Sequence, residues 1–118
     1  MITRIYYSNN PHPLNSKEWS KIYKNIMYDE NNKTINMKKW FFNKYYKKLP
    51  FELNISDKEK IFVLFNTEKN PLSSIAGQRW LKEKKVKHTS MMVGDIIKQG
   101  KQYYIVSNIG FKKINIKN

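Results

Sequence analysis

The 118-residue sequence predicts an α+β fold, a single small domain with helices packed on a small, mostly antiparallel sheet that ends in a C-terminal three-stranded meander. That class follows from three β-rich segments near the C-terminus joined by short Gly- or Asn-containing turns, and from two helix-start signals upstream of them. A composition of 40% apolar and 14% aromatic residues supplies a core despite the high charge. A chain of this length fits one domain, residues 1–118: an N-terminal strand with an aromatic, lysine-rich helical part over 1–56, then helices and the meander over 57–118.

Residues 2–7 are β-branched and aromatic and run into Ser-Asn-Asn-Pro-His-Pro, whose turn chemistry stops a strand. Ser16 can cap a helix over 17–27 that sets Trp19, Ile22, Tyr23 and Ile26 on one face. Residues 29–33 are polar and read as a loop. Over 37–49, Trp40, Phe41, Phe42, Tyr45 and Tyr46 interleave with five lysines up to Pro50; the spacing favours a helix, with a short strand as the alternative.

Ser56-Asp57-Lys58-Glu59 has the form of a capping box, with Ser56 at the N-cap and Glu59 three residues later, ahead of Ile61, Phe62, Leu64 and Phe65. Ser73 or Ser74 can cap a further helix carrying Ile75, Ala76, Trp80 and Leu81, whose last turn is basic and so complements the helix dipole. Strands are expected over 91–98, 102–106 and 111–116, joined through Gln99-Gly100-Lys101 and Ser107-Asn108-Ile109-Gly110. With no internal repeat and no linker, the helices are expected on one face of the sheet.

Net charge is +14, and it is uneven: residues 1–59 carry 11 basic and 6 acidic groups, residues 60–118 carry 12 and 3. Lys, Asn, Ile and Tyr are enriched together while Arg occurs only at Arg4 and Arg79, a pattern that an AT-rich genome explains. The same bias also favours Asp and Glu, so it does not explain the shortage of acids. A field of this sign attracts polyanions and releases their counterions, which makes nucleic acid, or an acidic protein that mimics it, the expected partner.

Other classes are poorly served. Without cysteine there is no disulfide framework and no thiolate metal site, which fits a reducing compartment and the cytoplasm of the host cell. No apolar run approaches the roughly 20 residues of a membrane span, and no signal-peptide core follows the first residues. His12 and His88 are the only histidines and match no ligand spacing, so no metal and no cofactor are expected. His88, Ser90 and Asp95 lie close in sequence, yet no nucleophile elbow accompanies them, and a loop histidine beside a Gly-Asp turn accounts for them; catalytic residues are expected to be none.

The best phosphate-contact candidates are Arg79, Lys82, Lys84, Lys85 and Lys87, crowded on one helix with Glu83 as the single acid among them. Lys98 and Lys101 on the hairpin, with Lys112, Lys113 and Lys117 on the last strand, extend that set; plain solubility is the competing reading. Lysines give point-charge contacts with little bidentate base readout, so weak sequence specificity is expected. The aromatics of 37–49 could stack bases as single-strand binders do, but core aromatics beneath a solvated lysine face explain them more simply.

His88-Thr89-Ser90-Met91-Met92-Val93-Gly94-Asp95-Ile96-Ile97, with Tyr103-Tyr104-Ile105-Val106 and Ile109-Gly110-Phe111-Lys112, resembles the Ser-Val-Gly-Asp-Val, Tyr-Tyr-Val and Gly-Phe-Lys-Glu ending of YodL-like small proteins of bacteria, phages and plasmids. Phe65-Asn66 and Asn70-Pro71-Leu72-Ser73 look like part of the same pattern, which covers residues 61–114. Met92 stands where Ser is usual and Lys113 where an acid is usual. The resemblance implies a mobile-element context and no reaction. Val93-Gly94-Asp95 is also similar to the turn that opens a strand in small β-barrels of the PUA and ASCH type, a fold analogy that favours nucleic acid.

The function expected is therefore a non-enzymatic, nucleic-acid-binding accessory protein of a phage or mobile element. The alternative is an inhibitor or assembly subunit that docks on a host defence nucleoprotein complex; an enzyme using His88 and Asp95 ranks third.

Overall fold

The computed structural model describes residues 2–9, 17–28 and 34–118. The expected cap at Ser16, the loop over 29–33 and His12 lie outside the described residues. Along the chain run β1 (Thr3–Ser8), α1 (Lys17–Met27), β2 (Ile35–Lys38), α2 (Lys39–Tyr45), β3 (Tyr46–Lys48), α3 (Lys58–Leu64), a 3-10 turn (Pro71–Ser73), α4 (Ile75–Lys84), β4 (Ile96–Gln99), β5 (Gln102–Ser107) and β6 (Gly110–Lys117).

The six strands form one sheet in the order β2-β6-β5-β4-β1-β3, antiparallel except for the β2–β6 pair. The fold class is the α+β arrangement expected, with β4, β5 and β6 as the C-terminal meander. The two edge strands, β2 and β3, are consecutive in the chain and are joined by α2 alone. Six flat strands would hold their edges about 24 Å apart, whereas a seven-residue helix spans about 10 Å. The sheet must therefore curl until α2 can tie its edges together.

Helices cover both faces, not one. Ile96 and Ile97 are consecutive in β4 and both fully buried, so each side of the sheet has its own core. Inside the curl, Trp19, Ile22 and Ile26 of α1 and Phe41 and Phe42 of α2 pack with Ile35, Met37, Tyr46, Ile96, Ile105 and Ile114. On the outer side, Ile61 and Phe65 and α4's Trp80 and Leu81 pack with Ile5, Tyr7, Leu49, Ile97 and Val106.

Three local expectations are corrected. Residues 37–49 are strand, helix and strand rather than one helix, because Ile35 and Met37 alternate into the core and pair with β6 while Tyr46 and Lys48 pair with β1. Asp57, not Ser56, caps α3: its carboxylate accepts from the Glu59 and Lys60 amides at 2.9 and 3.3 Å, and Ser56 instead offers its carbonyl to Gln99 Nε2. The strand expected over 91–98 begins only at Ile96, because Gly94 at φ 98° breaks the extended backbone. A Cβ there would also stand 2.7 Å from Trp19 Cη2. Of the two serines offered for α4, Ser74 is the cap, accepting from Gly77 N at 3.0 Å.

Candidate nucleic-acid interface

His88 and Asp95 do meet, in a buried centre at the mouth of β4. His88 Nε2 lies 3.1 and 3.0 Å from the two Asp95 oxygens, and its ring stacks on Tyr7 at 4.6 Å. Asp95 Oδ1 accepts the Ser8 amide at 2.9 Å and Oδ2 the Met92 amide at 2.8 Å. The carboxylate thus ties β1 to the 88–95 loop. Burial pushes the Asp95 carboxyl above its ordinary value, opposed by His88 and by the Ser8 and Met92 amides.

The neighbouring hydroxyls are committed to the backbone. Tyr7 donates to Thr89 O at 2.9 Å and Tyr46 to Gly94 O at 2.6 Å. Burial, reinforced by the Asp95 charge, raises both phenols, so they stay protonated as donors. Ser90 is exposed. Among the described residues, the hydrogen-bond partners of Asp95 are the Ser8 and Met92 backbone amides and the His88 imidazole, an arrangement that fixes a loop.

The lysines nominated from sequence fall into separate groups. Arg79, Lys82 and Lys84 are exposed on α4, Lys85 ends it in the left-handed conformation at φ 59°, and Lys87 follows, also exposed. Gln78 of α4 donates to Thr89 Oγ1, and the Thr89 carbonyl accepts from Tyr7, which places this group over β1. Lys98 and Lys112 point into the curl: Lys98 Nζ lies 5.1 Å from the Tyr103 ring centre and Lys112 Nζ donates to Asn25 O of α1 at 2.8 Å. Lys113, adjacent to Lys112, must face the other way. Lys101 is exposed in the β4–β5 turn.

Lys113 belongs to a surface that the sequence reading did not assemble. The outer core draws its sheet residues from β1, β4, β5 and Phe111 at the start of β6, and none from β2. The outer face of β2 and the rest of β6 is left uncovered, with Asn36, Lys38, Lys113, Asn115 and Lys117 all exposed. Parallel pairing sets Asn36 beside Asn115 and Lys38 beside Lys117. Tyr104 lies beside Lys113 in the register, with Lys58 Nζ 4.1 Å above its ring.

Two like charges in register are destabilising by about 0.2–1 kcal/mol, and among the described residues neither lysine is in an ion pair. Residues 31–51 and 96–118 contain no Asp or Glu at all, and the β2–β6 pairing brings these two stretches together. That shared absence was the available signal in the sequence. From β6 to β1 is about 14 Å along the sheet, so this face and the α4 group are distinct patches.

No family model matches the chain, and no solved structure matches it. Over 57 residues it is 51% identical to an uncharacterised protein of Acanthamoeba polyphaga mimivirus. The chain has a viral relative. The match covers 48% of this chain, which spans about half (52%) of the length of that relative. Among the described residues no helix is long and apolar enough to cross a membrane.

Proposed function

We infer that the protein is a non-enzymatic accessory protein of a virus or other mobile element, one that binds nucleic acid through lysines in the cytoplasm of the host cell. The observation that carries this reading is the uncovered outer face of β2 and β6, where Lys38 stands beside Lys117 and Lys113 lies on the same face, within two acid-free segments. The relative in a virus supports the mobile-element context, as does the likeness of the 88–112 motifs to YodL-like proteins. The shortage of arginine removes bidentate contacts to base edges, so affinity comes from phosphates and sequence specificity is weak.

Binding to fluorescent single- and double-stranded DNA and RNA, titrated against salt, tests this. Four phosphate contacts, by Lys38, Lys39, Lys113 and Lys117, correspond to an affinity for single strands that falls about 50-fold between about 50 and 200 mM salt. No association at low salt, or an affinity indifferent to salt, removes the reading. A stoichiometric protein partner that survives nuclease treatment would favour docking on an acidic or nucleoprotein surface instead.

A further inference from the structure

Three tryptophans are placed very differently. Trp19 and Trp80 are 6% and 9% exposed in the two cores, whereas Trp40, in the first turn of α2, is 54% exposed. Its neighbours Phe41 and Phe42 are buried, so the helix is anchored and Trp40 stands on its outer side, its ring edge-on to Phe41 at 5.8 Å. Tryptophan is a highly buried residue type on average, and leaving so large a ring in water forgoes much of its transfer free energy. The exposed stripe of α2 is Lys39, Trp40, Asn43 and Lys44, and Lys38 beside Lys117 immediately precedes it. Every charged side chain in that group is a cation.

An exposed indole preceded in the chain by Lys38 and Lys39, with Lys44 one helical turn on, matches one ligand chemistry closely: an unpaired base, which offers a π-face, carried on a phosphate backbone. A duplex hides its base faces inside the stack, and an apolar protein surface would gain nothing from the surrounding lysines. We propose that Trp40 is a base-stacking residue of a single-stranded nucleic-acid site, with Lys38, Lys39 and Lys117 holding the adjacent phosphates. This rests on the nucleic-acid reading above and names the form of nucleic acid that the site takes. The base stacks outside the core, on a helix that the curl of the sheet holds rigidly between its edges.

The test compares native protein with Trp40→Ala and Trp40→Phe, using thymidine and uridine oligonucleotides of about 12 nucleotides and a duplex of the same length. Stacking of one base corresponds to a loss of roughly 10-fold in single-strand affinity for Trp40→Ala. Trp40→Phe, which keeps a ring, retains most of it, and duplex binding is unchanged in both. Single strands quench the native tryptophan emission, and that quenching disappears in both variants because Trp19 and Trp80 are buried. The tighter of the two oligonucleotides identifies the site as one for DNA or RNA.

Single-strand affinity unchanged in Trp40→Ala overturns the proposal, as does an equal loss on single strand and duplex. Native protein that binds neither form at low salt overturns the nucleic-acid reading itself. Thermal unfolding of both variants at the native temperature shows that an affinity change does not come from misfolding.

Discussion

Replacing Asp95 with alanine removes the acceptor of two backbone amides, Ser8 and Met92, and the partner of His88 in one step. An amide deprived of its partner in a partly buried site costs about 1–2 kcal/mol, and loss of the charge-assisted contact adds about 1 more. The sum is about 3–5 kcal/mol, a large part of the 5–15 kcal/mol that typically separates native from unfolded chains. At about 4 °C per kcal/mol, the midpoint of thermal unfolding falls by about 12–20 °C. His88→Ala removes one of those contacts and the stacking on Tyr7, costing about 2 kcal/mol, but leaves Asp95 with both amides. Urea unfolding of the two variants decides the matter. A cost for Asp95→Ala below about 1 kcal/mol, or below that of His88→Ala, would refute the view that this pair exists to fix the 88–95 loop to β1.

Gly94→Ala forces a side chain into a left-handed backbone and against Trp19, and should cost about 2–3 kcal/mol in urea unfolding. The Asp95 carboxyl has a raised value in the folded state, so the part of its contribution that depends on the bound proton is fully present at pH below its ordinary value of 3.8 and is lost as pH rises through the folded value, while the hydrogen bonds to the Ser8 and Met92 amides remain. The stability difference between native protein and Asp95→Asn, followed by urea midpoints from acid upward, should therefore shrink with rising pH; growth would contradict the sign. Lys117→Glu replaces the like-charge pair with an opposite one beside Lys38 and should raise stability by about 0.5 kcal/mol, while weakening nucleic-acid binding in the same sample. A variant that loses stability and keeps binding would separate this lysine from any ligand.

The elements with a local signal were legible in the sequence. Trp19, Ile22 and Ile26 at helical spacing gave α1, and Ser74 and the basic last turn gave α4, because those signals lie within one turn of the residues they organise. What was hidden depends on distant pairing. The aromatic run over 37–49 has a helical period, but its ends are claimed as strands by β6 and β1, about 80 and 40 residues away in sequence. The 88–95 loop is also held by Asn70, far from it in sequence, whose side-chain amide donates to Phe65 O and Thr89 O while its carbonyl oxygen accepts from the Leu72 amide. A candidate interface on β2 and β6 could not be assembled from the sequence while residues 35–38 were read without a strand, and period-2 alternation then divided Lys112 from Lys113.

The claim that the uncovered β2–β6 face binds nucleic acid is tested most directly by the slope of log affinity against log salt on a single-stranded oligonucleotide. Native protein is compared with Lys38→Gln/Lys113→Gln/Lys117→Gln and with the α4 control Lys82→Gln/Lys84→Gln/Lys87→Gln. Loss of three phosphate contacts should lower the magnitude of the slope by about 2 in the first variant, with a much smaller change in the second. A native slope that survives in the sheet-face variant and collapses in the α4 variant would contradict the account and put the contacts on the helix.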